Sequence, residues 1–167
     1  MLRDVLNKVV VVFCVVMASC SPSQINLNEA RSNDATAQDM KDYAQSDDPI
    51  LRVATAENPN TPVSVLEKLA KDTDEEVRRA VAENENTTAK ILQQLATDES
   101  WLVRDVVAYH QNTDENTLRK LAEDTQYEVR LSVANNSKVP VDILEKLSQD
   151  KNEEVQSTAA KNLQMRK

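Results

Sequence analysis

The chain has 167 residues, enough for one compact domain or one short repeat array, and its net charge of −8 argues against a general role on nucleic acid phosphates. Its apolar share is 40%, yet one Phe, one Trp and three Tyr are all the aromatic residues, so the core must be aliphatic. Glycine is absent, which excludes phosphate-cradling loops, dinucleotide fingerprints and nucleophile elbows and argues against a hairpin-rich β fold, while one His and two Cys are too few soft ligands for a zinc or iron–sulfur site.

The first residues, MLRDVLNKVVVVFCVVMASC, place Arg3 and Lys8 ahead of an apolar run from Val9 to Ala18. A run of about 10 residues is half of the roughly 20 that a membrane-spanning helix needs, so the layout reads as a secretory signal. Met17-Ala18-Ser19-Cys20 resembles the lipobox of bacterial lipoproteins: an apolar residue, two small ones, then Cys. That resemblance implies removal of residues 1–19 and a covalent lipid on Cys20. Several acyl chains hold a protein firmly where one alone is marginal. An ordinary signal peptide, or a short uncleaved anchor that happens to contain Cys20, is the competing reading. Ser21 resembles the sorting signal for the outer membrane in Gram-negative lipoproteins. The expected location is therefore the bacterial cell envelope, lipid-anchored, on the outer membrane facing the periplasm. Cleavage takes the net charge from −8 to −9, since Arg3 and Lys8 leave with Asp4. Cys14 leaves too and Cys20 is consumed by lipid, so no disulfide is expected. Residues 20–35 read as the lipidated Cys and a flexible polar tether, because SPSQINLNEARSND lacks periodicity. About 14 such residues span about 20 Å as a random coil.

From residue 36 to 167 the chain repeats at a period of 26. Leu51, Val77, Val103, Val129 and Val155 share one column; Ala56, Ala82, Ala108, Ala134 and Ala160 share another. Leu66, Leu92, Leu118 and Leu144 form a third, Leu69, Leu95, Leu121 and Leu147 a fourth. Such a period is the mark of a solenoid. Each unit carries two helical patterns. EEVRRAVAEN has Val77, Ala80 and Val81 on one stripe, and TTAKILQQLATD has Ile91, Leu92 and Leu95 on another. The first pattern makes the first-type helix of a unit and the second its second-type helix. Thr61-Pro62 predicts an N-cap followed by Pro at the first helical position. Asn58, Asn84, His110, Asn136 and Asn162 end the first-type helices, where a left-handed Asn is expected to replace the missing Gly. Met40, Tyr43 and Ala44 fall in the columns of Leu66, Leu69 and Ala70, which predicts an N-terminal half-unit. Four full repeats and a C-terminal half-unit from Glu153 follow, ten helices in all. The expected fold is all-α, an α-solenoid of 26-residue helix pairs.

VRRAVAEN and AENPNTPVSVLEKLA closely resemble the leucine-rich repeat variant, a relative of the HEAT-like α-solenoids. The resemblance covers residues 36–164. It implies a right-handed superhelix of paired helices, one of each pair partly 3₁₀. Units in that family are often about 24 residues long. An iron–sulfur-associated member carries an added cysteine cluster that nothing here matches, so no cofactor carries over.

Arg52, Arg78, Arg104 and Arg130 recur at the same period, each six residues after a recurrent aspartate or its counterpart: Asp72, Asp98, Asp124 and Asp150 complete that column. Because every unit keeps them, they read as a structural ladder, each Asp capping a helix and pairing with a neighbouring unit's Arg, and not as a metal or anion site. A site needs residues that break the pattern. His110 is one, but no Cys or Ser stands beside it in a recognisable catalytic arrangement. The larger break is at the off-stripe positions of the first-type helices. Glu75, Arg79 and Glu83 of one unit become Trp101, Asp105 and Tyr109 in the next and Tyr127, Leu131 and Asn135 in the third. Trp101, Tyr109, Tyr127 and Leu131 are expected to form one exposed protein-binding patch, since Trp and Tyr dominate binding hot spots.

The leading expectation is a lipid-anchored envelope scaffold that binds a protein or peptide, with no nucleic acid, metal or cofactor. No nucleophile–base pair supports an enzyme. The alternatives are an accessory factor or lyase-like HEAT-repeat enzyme, and a purely structural envelope spacer.

Overall fold

The computed structural model describes residues 22–166. The readings placed on residues 1–19 and on Cys20 lie outside the described residues. Eleven helices follow in order: α1 Pro22–Ala30, α2 Ala37–Tyr43, α3 Pro49–Glu57, α4 Val63–Leu69, α5 Glu75–Glu83, α6 Ala89–Leu95, α7 Trp101–Tyr109, α8 Glu115–Leu121, α9 Tyr127–Asn135, α10 Val141–Leu147 and α11 Glu153–Gln164. Odd-numbered helices are the first type and even-numbered ones the second. No strand and no 3₁₀ segment occurs among the described residues, so the partly 3₁₀ helix implied by the family resemblance is replaced by short α-helices of seven residues.

The repeats begin earlier than the sequence suggests. Residues 22–30, expected to be tether, form α1, a first-type helix, so α2 has a partner and the array holds five pairs and a closing helix. Three contacts fix α1. Ala30 is fully buried in the alanine column one period before Ala56. The Tyr43 hydroxyl donates to the Glu29 carboxylate at 2.8 Å. The Asn58 amide donates to the carbonyls of Ala30 and Ser32 at 2.7 and 2.9 Å. Burial and the Glu29 bond push the Tyr43 phenol well above its ordinary value.

First-type helices of successive units lie directly against one another, while each second-type helix meets mainly the first-type helices on either side. One continuous aliphatic core results. Val77, Val103, Val129 and Val155 are fully buried, as are Leu66, Leu92, Leu118 and Leu144. A helix pair this short cannot bury its apolar face alone; stacking supplies the core. The second-type helices start at Thr36, Pro62, Thr88, Asp114 and Pro140. Thr61 is therefore not the cap. It turns inward, and its buried hydroxyl donates to the Thr55 carbonyl at 2.5 Å, as Thr113 does to Val107 at 2.6 Å.

The asparagines also act differently from expectation. Asn58, Asn84 and Asn136 have φ near −68° and ψ near 123°, an extended backbone and not a left-handed one. Their side chains explain the column. Asn84 Nδ2 donates to Ala56 O at 2.6 Å and Asn58 O at 3.0 Å, and Asn136 Nδ2 to Ala108 O at 2.8 Å. Each Oδ1 accepts the amide N–H two residues on. A buried amide thus stitches each unit to the one before it. These are bonds that Gly cannot make.

The second stitch is ionic. Arg52 grips Asp72, Arg78 grips Asp98, Arg104 grips Asp124 and Arg130 grips Asp150, each with Nε to Oδ2 at 2.7 Å and Nη2 to Oδ1 at 2.8–3.0 Å. The partner is in the same unit, twenty residues on, and not in the neighbour. The neighbour contributes through its other nitrogen: Arg78 Nη1 donates to the Asp72 carbonyl at 2.9 Å, and Arg104 Nη1 to the Asp98 carbonyl at 2.8 Å. Nor does the ladder aspartate cap a helix itself. It sits two residues ahead of the cap position, and its Oδ1 accepts the N–H of Asp74, Ser100, Gln126 or Asn152. Ser46 and Asn26 stand where a further Asp and Arg would fall, and Gln156 ends the Arg column, so the line stops at both ends.

Burial raises the carboxyls of Asp72, Asp98 and Asp124, but the guanidinium bonds and the N–H bonds outweigh it and hold all three below the ordinary value of 3.8. For Asp150 the Arg130 bond is itself the largest influence, with the same result. A carboxyl lowered in the folded state stabilises above its unfolded value and loses that contribution as pH falls through the folded one. The ladder's contribution to thermal melts should therefore fall away steadily below about pH 4.

Arg104→Ala should cost about 3 kcal/mol, the scale of orphaning a largely buried charge partner. Arg119 pairs with Asp142 on the surface, where both side chains stay half exposed, so Arg119→Ala should be nearly neutral. Equal losses in urea titrations would contradict the ladder. A second change should stabilise. Thr117 occupies the buried column of Val65, Ile91 and Ile143, and its hydroxyl has no hydrogen-bond partner. Thr117→Val should gain about 1 kcal/mol and raise the melting temperature by about 2–4 °C.

Candidate functional site

With both ladders committed to the scaffold, the residues free to vary lie on the outward side of the first-type helices. The pattern breaks there. Tyr109 is 65% exposed and Tyr127 is 38% exposed. Trp101 and Leu131 are half-buried and pack against the core. The four expected patch residues are therefore not one exposed cluster. Trp101 and Tyr127 start α7 and α9, and Leu131 sits one turn into α9. Tyr109 ends α7, about 12 Å from Trp101 by helical rise. It lines a shallow depression with Glu83, Glu85 and His110.

Two apolar residues escaped the sequence reading. Leu102, at the start of α7, is 38% exposed, and Ile50 stands in the same column of α3 and is more exposed still. The signal was available: their counterparts Glu76, Glu128 and Glu154 are all acidic. The rim of the row thus reads Glu75-Glu76 on α5, Trp101-Leu102 on α7, Tyr127-Glu128 on α9 and Glu153-Glu154 on α11.

Charge separates between the two helix rows. Apart from the ladder arginines, which are paired with their aspartates, the first-type helices carry Glu29, Glu57, Glu75, Glu76, Glu83, Asp105, Glu128, Glu153 and Glu154 against Arg79 and Lys161. Arg79 is already bonded to Glu76 at 2.7 Å and paired with Glu83. The second-type row mixes signs, and pairs such as Lys90–Glu67 at 3.2 Å and Lys146–Glu123 at 2.7 Å span adjacent units. The face that carries the exposed aromatics is the strongly acidic one.

His110 is the array's variant of the asparagine stitch. Its Nδ1 accepts the Asn112 N–H at 3.0 Å, which leaves the proton on Nε2, facing the Asn84 carbonyl at 3.2 Å. Burial lowers its pKa below the ordinary value. Both nitrogens are engaged with main chain, so neither is free to serve as a general base. No group of His, Cys, Asp and Glu with metal-binding geometry occurs among the described residues. Asp105, between Trp101 and Tyr109 on α7, accepts a bond from the Ser132 hydroxyl at 2.6 Å. Its burial, with Glu128 nearby, lifts its carboxyl above the ordinary range despite that bond.

No protein-family model matches the sequence, and no curated protein matches it. Among solved structures, one similar chain is described as a leucine-rich repeat variant with a novel repetitive protein structural motif. It is 19% identical, the match covers 88% of this chain and 78% of that one, and the TM-score is 0.44. The helical-repeat architecture of this chain stands on its own 26-residue ladders and not on that likeness.

Proposed function

We propose that this chain is a lipid-anchored cell-envelope protein whose solenoid binds a protein or peptide along the first-type row. The observation that carries the reading is the contrast within one column set. The scaffold positions repeat in every unit, while the outward positions change from Glu76 and Glu83 to Leu102 and Tyr109. Apolar side chains left in water cost the free protein solubility and contribute nothing to its core, which makes sense at a face covered by a partner. A solenoid suits the task, because a regular scaffold presents a long surface on which side chains vary independently.

The anchor rests on Met17-Ala18-Ser19-Cys20 and carries the outer-membrane assignment with it. Since α1 begins at Pro22, a lipid on Cys20 would hold the first unit close to the bilayer and not at the end of a long tether. Among the described residues, no helix is long and apolar enough to cross a membrane.

Two measurements test the reading. Cys20→Ser should abolish metabolic palmitate labelling and move the protein out of the detergent phase; labelling that persists would remove the anchor. Tyr109→Ala with Tyr127→Ala should leave the melting temperature within about 2 °C, because both rings are exposed. The same pair should cut partner capture in envelope crosslinking by at least about thirtyfold, the ratio that a loss of about 2 kcal/mol implies. Capture unchanged by the pair would refute the face.

A further inference from the structure

We propose that His110 makes the joint between the α5–α6 and α7–α8 units proton-operated: a proton taken up by its ring frees the turn after α7 from the turn after α5 and loosens the array at that point. The joint works this way whether or not the first-type row binds a partner.

Donors and acceptors decide it. At Asn58, Asn84 and Asn136 the side-chain oxygen accepts the N–H two residues on, and the side-chain nitrogen donates to carbonyls of the preceding unit. An amide does not titrate, so it keeps both roles as the pH changes. His110 divides the same two roles between its ring nitrogens: Nδ1 accepts the Asn112 N–H at 3.0 Å and Nε2 faces the Asn84 carbonyl at 3.2 Å. Only the neutral ring can do this. In the imidazolium both nitrogens are donors, so Nε2 keeps its carbonyl while Nδ1 points a proton at the Asn112 N–H. Turning the ring over does not help, because the cation has no acceptor on either side.

The contact between the two units hangs on that N–H. Asn112 Nδ2 donates to the Glu85 carbonyl at 3.0 Å and to the Thr87 carbonyl at 3.1 Å, both in the turn after α5. Once the Asn112 N–H is repelled, those two bonds lose the backbone that aims them. The joint has little in reserve. Asn84 and Asn136 each reach two carbonyls of the preceding unit, 28 and 26 residues back, whereas His110 reaches only the one 26 residues back. Helix α7 starts at Ser100 without a side-chain cap, where α3, α5 and α11 each have one. In the same unit the buried Thr117 hydroxyl is unpaired.

The ring is half-buried and borders the shallow depression that Glu83, Glu85 and Tyr109 line, so protons from solvent reach it. Its charged surroundings are mixed. Glu83, at the end of α5, is paired with Arg79. Asp114, at the start of α8, spends its carboxylate on the Thr117 N–H. Burial is the largest influence and lowers the ring's pKa; the Asn84 carbonyl and Glu85 pull the other way, and Lys138 in the turn after α9 adds to the lowering. The balance lies below the ordinary 6.5. A histidine held neutral in the fold binds fewer protons there than in the opened chain, so stability is lost as pH falls from the ordinary value towards the folded one. That window lies above the one in which the ladder carboxylates titrate.

An NMR titration and hydrogen exchange on the full chain in detergent test this. His110 is the chain's single His, so its ring signals are unambiguous. They should show the proton on Nε2 in the neutral form and a midpoint below 6.5. Between about pH 7.5 and about pH 5 the protection factor of the Asn112 amide should fall at least about fivefold, against a ceiling of roughly thirtyfold set by free titration of the opened ring. The amides of Asn60, Asn86 and Lys138 are each held by an asparagine oxygen, and they should keep their protection within about twofold. His110→Asn restores the repeat's own residue and should level the Asn112 response and the melting temperature over the same range. Asn112 protection that is level with pH in the unaltered chain would overturn the proposal. So would a fall shared equally by all four amides, a fall that survives His110→Asn, or a His110 midpoint at or above 6.5.

Discussion

A guanidinium shared between two units is the interaction on which this array depends. Each ladder arginine uses one edge to hold the aspartate of its own unit and its remaining nitrogen to hold the main chain of the unit before it. The aspartate in turn ties down the N–H at the start of the next first-type helix. A single residue pair thus fixes three things: the end of a second-type helix, the start of the following first-type helix, and the spacing between units. Planarity matters, because a lysine in the same place is a point charge and cannot serve carboxylate and carbonyl in one plane.

The asparagine stitch does the same work at the other end of the first-type helices. Together the two ladders clamp the row at both ends while the aliphatic columns fill the middle. That division explains a chain without glycine. The turns after the first-type helices run through extended asparagines, so no left-handed residue is needed there. The main-chain donors and acceptors freed by the absence of a glycine cap are satisfied by side-chain amides. It also explains how His110 is accommodated: a neutral imidazole offers one acceptor and one donor at opposite ends, and so reproduces part of what the amide does. With the scaffold's demands met by buried columns, the outward positions carry no structural duty, and a binding face can change there without cost to the fold.

Much of this was legible in the sequence. The period, the helix pairs, the aliphatic columns and the structural role of the Arg and Asp columns follow from spacing, because a repeat writes each packing requirement many times over. What was missed has local causes. The segment that forms α1 carries Asn26 in place of the ladder arginine and reads as polar, although Ala30 and Tyr43 already signalled a packed helix. The asparagine column was visible, but its mechanism was not. Preference tables point to a left-handed cap, and only the bond that reaches back 26–28 residues shows otherwise. At the candidate site, spacing located the break in pattern but not the depth of each side chain. Trp101 and Leu131 lean into the core because neighbouring first-type helices approach closely, while Leu102, one residue along, turns outward. The Ser132–Asp105 bond could not be found from either helix alone, since the offset that sets the two residues together is a property of the stack.

The central claim is that stability passes between neighbouring units through the arginine ladder. Native-state hydrogen exchange on the chain carrying Asp124→Asn tests it most directly. That change leaves the shape of the rung and removes the charge that Arg104 grips. The account predicts lost amide protection concentrated in α7 to α9 and the segments joining them, with α3 and α4 keeping theirs. Uniform loss across all helices, or none, would contradict it.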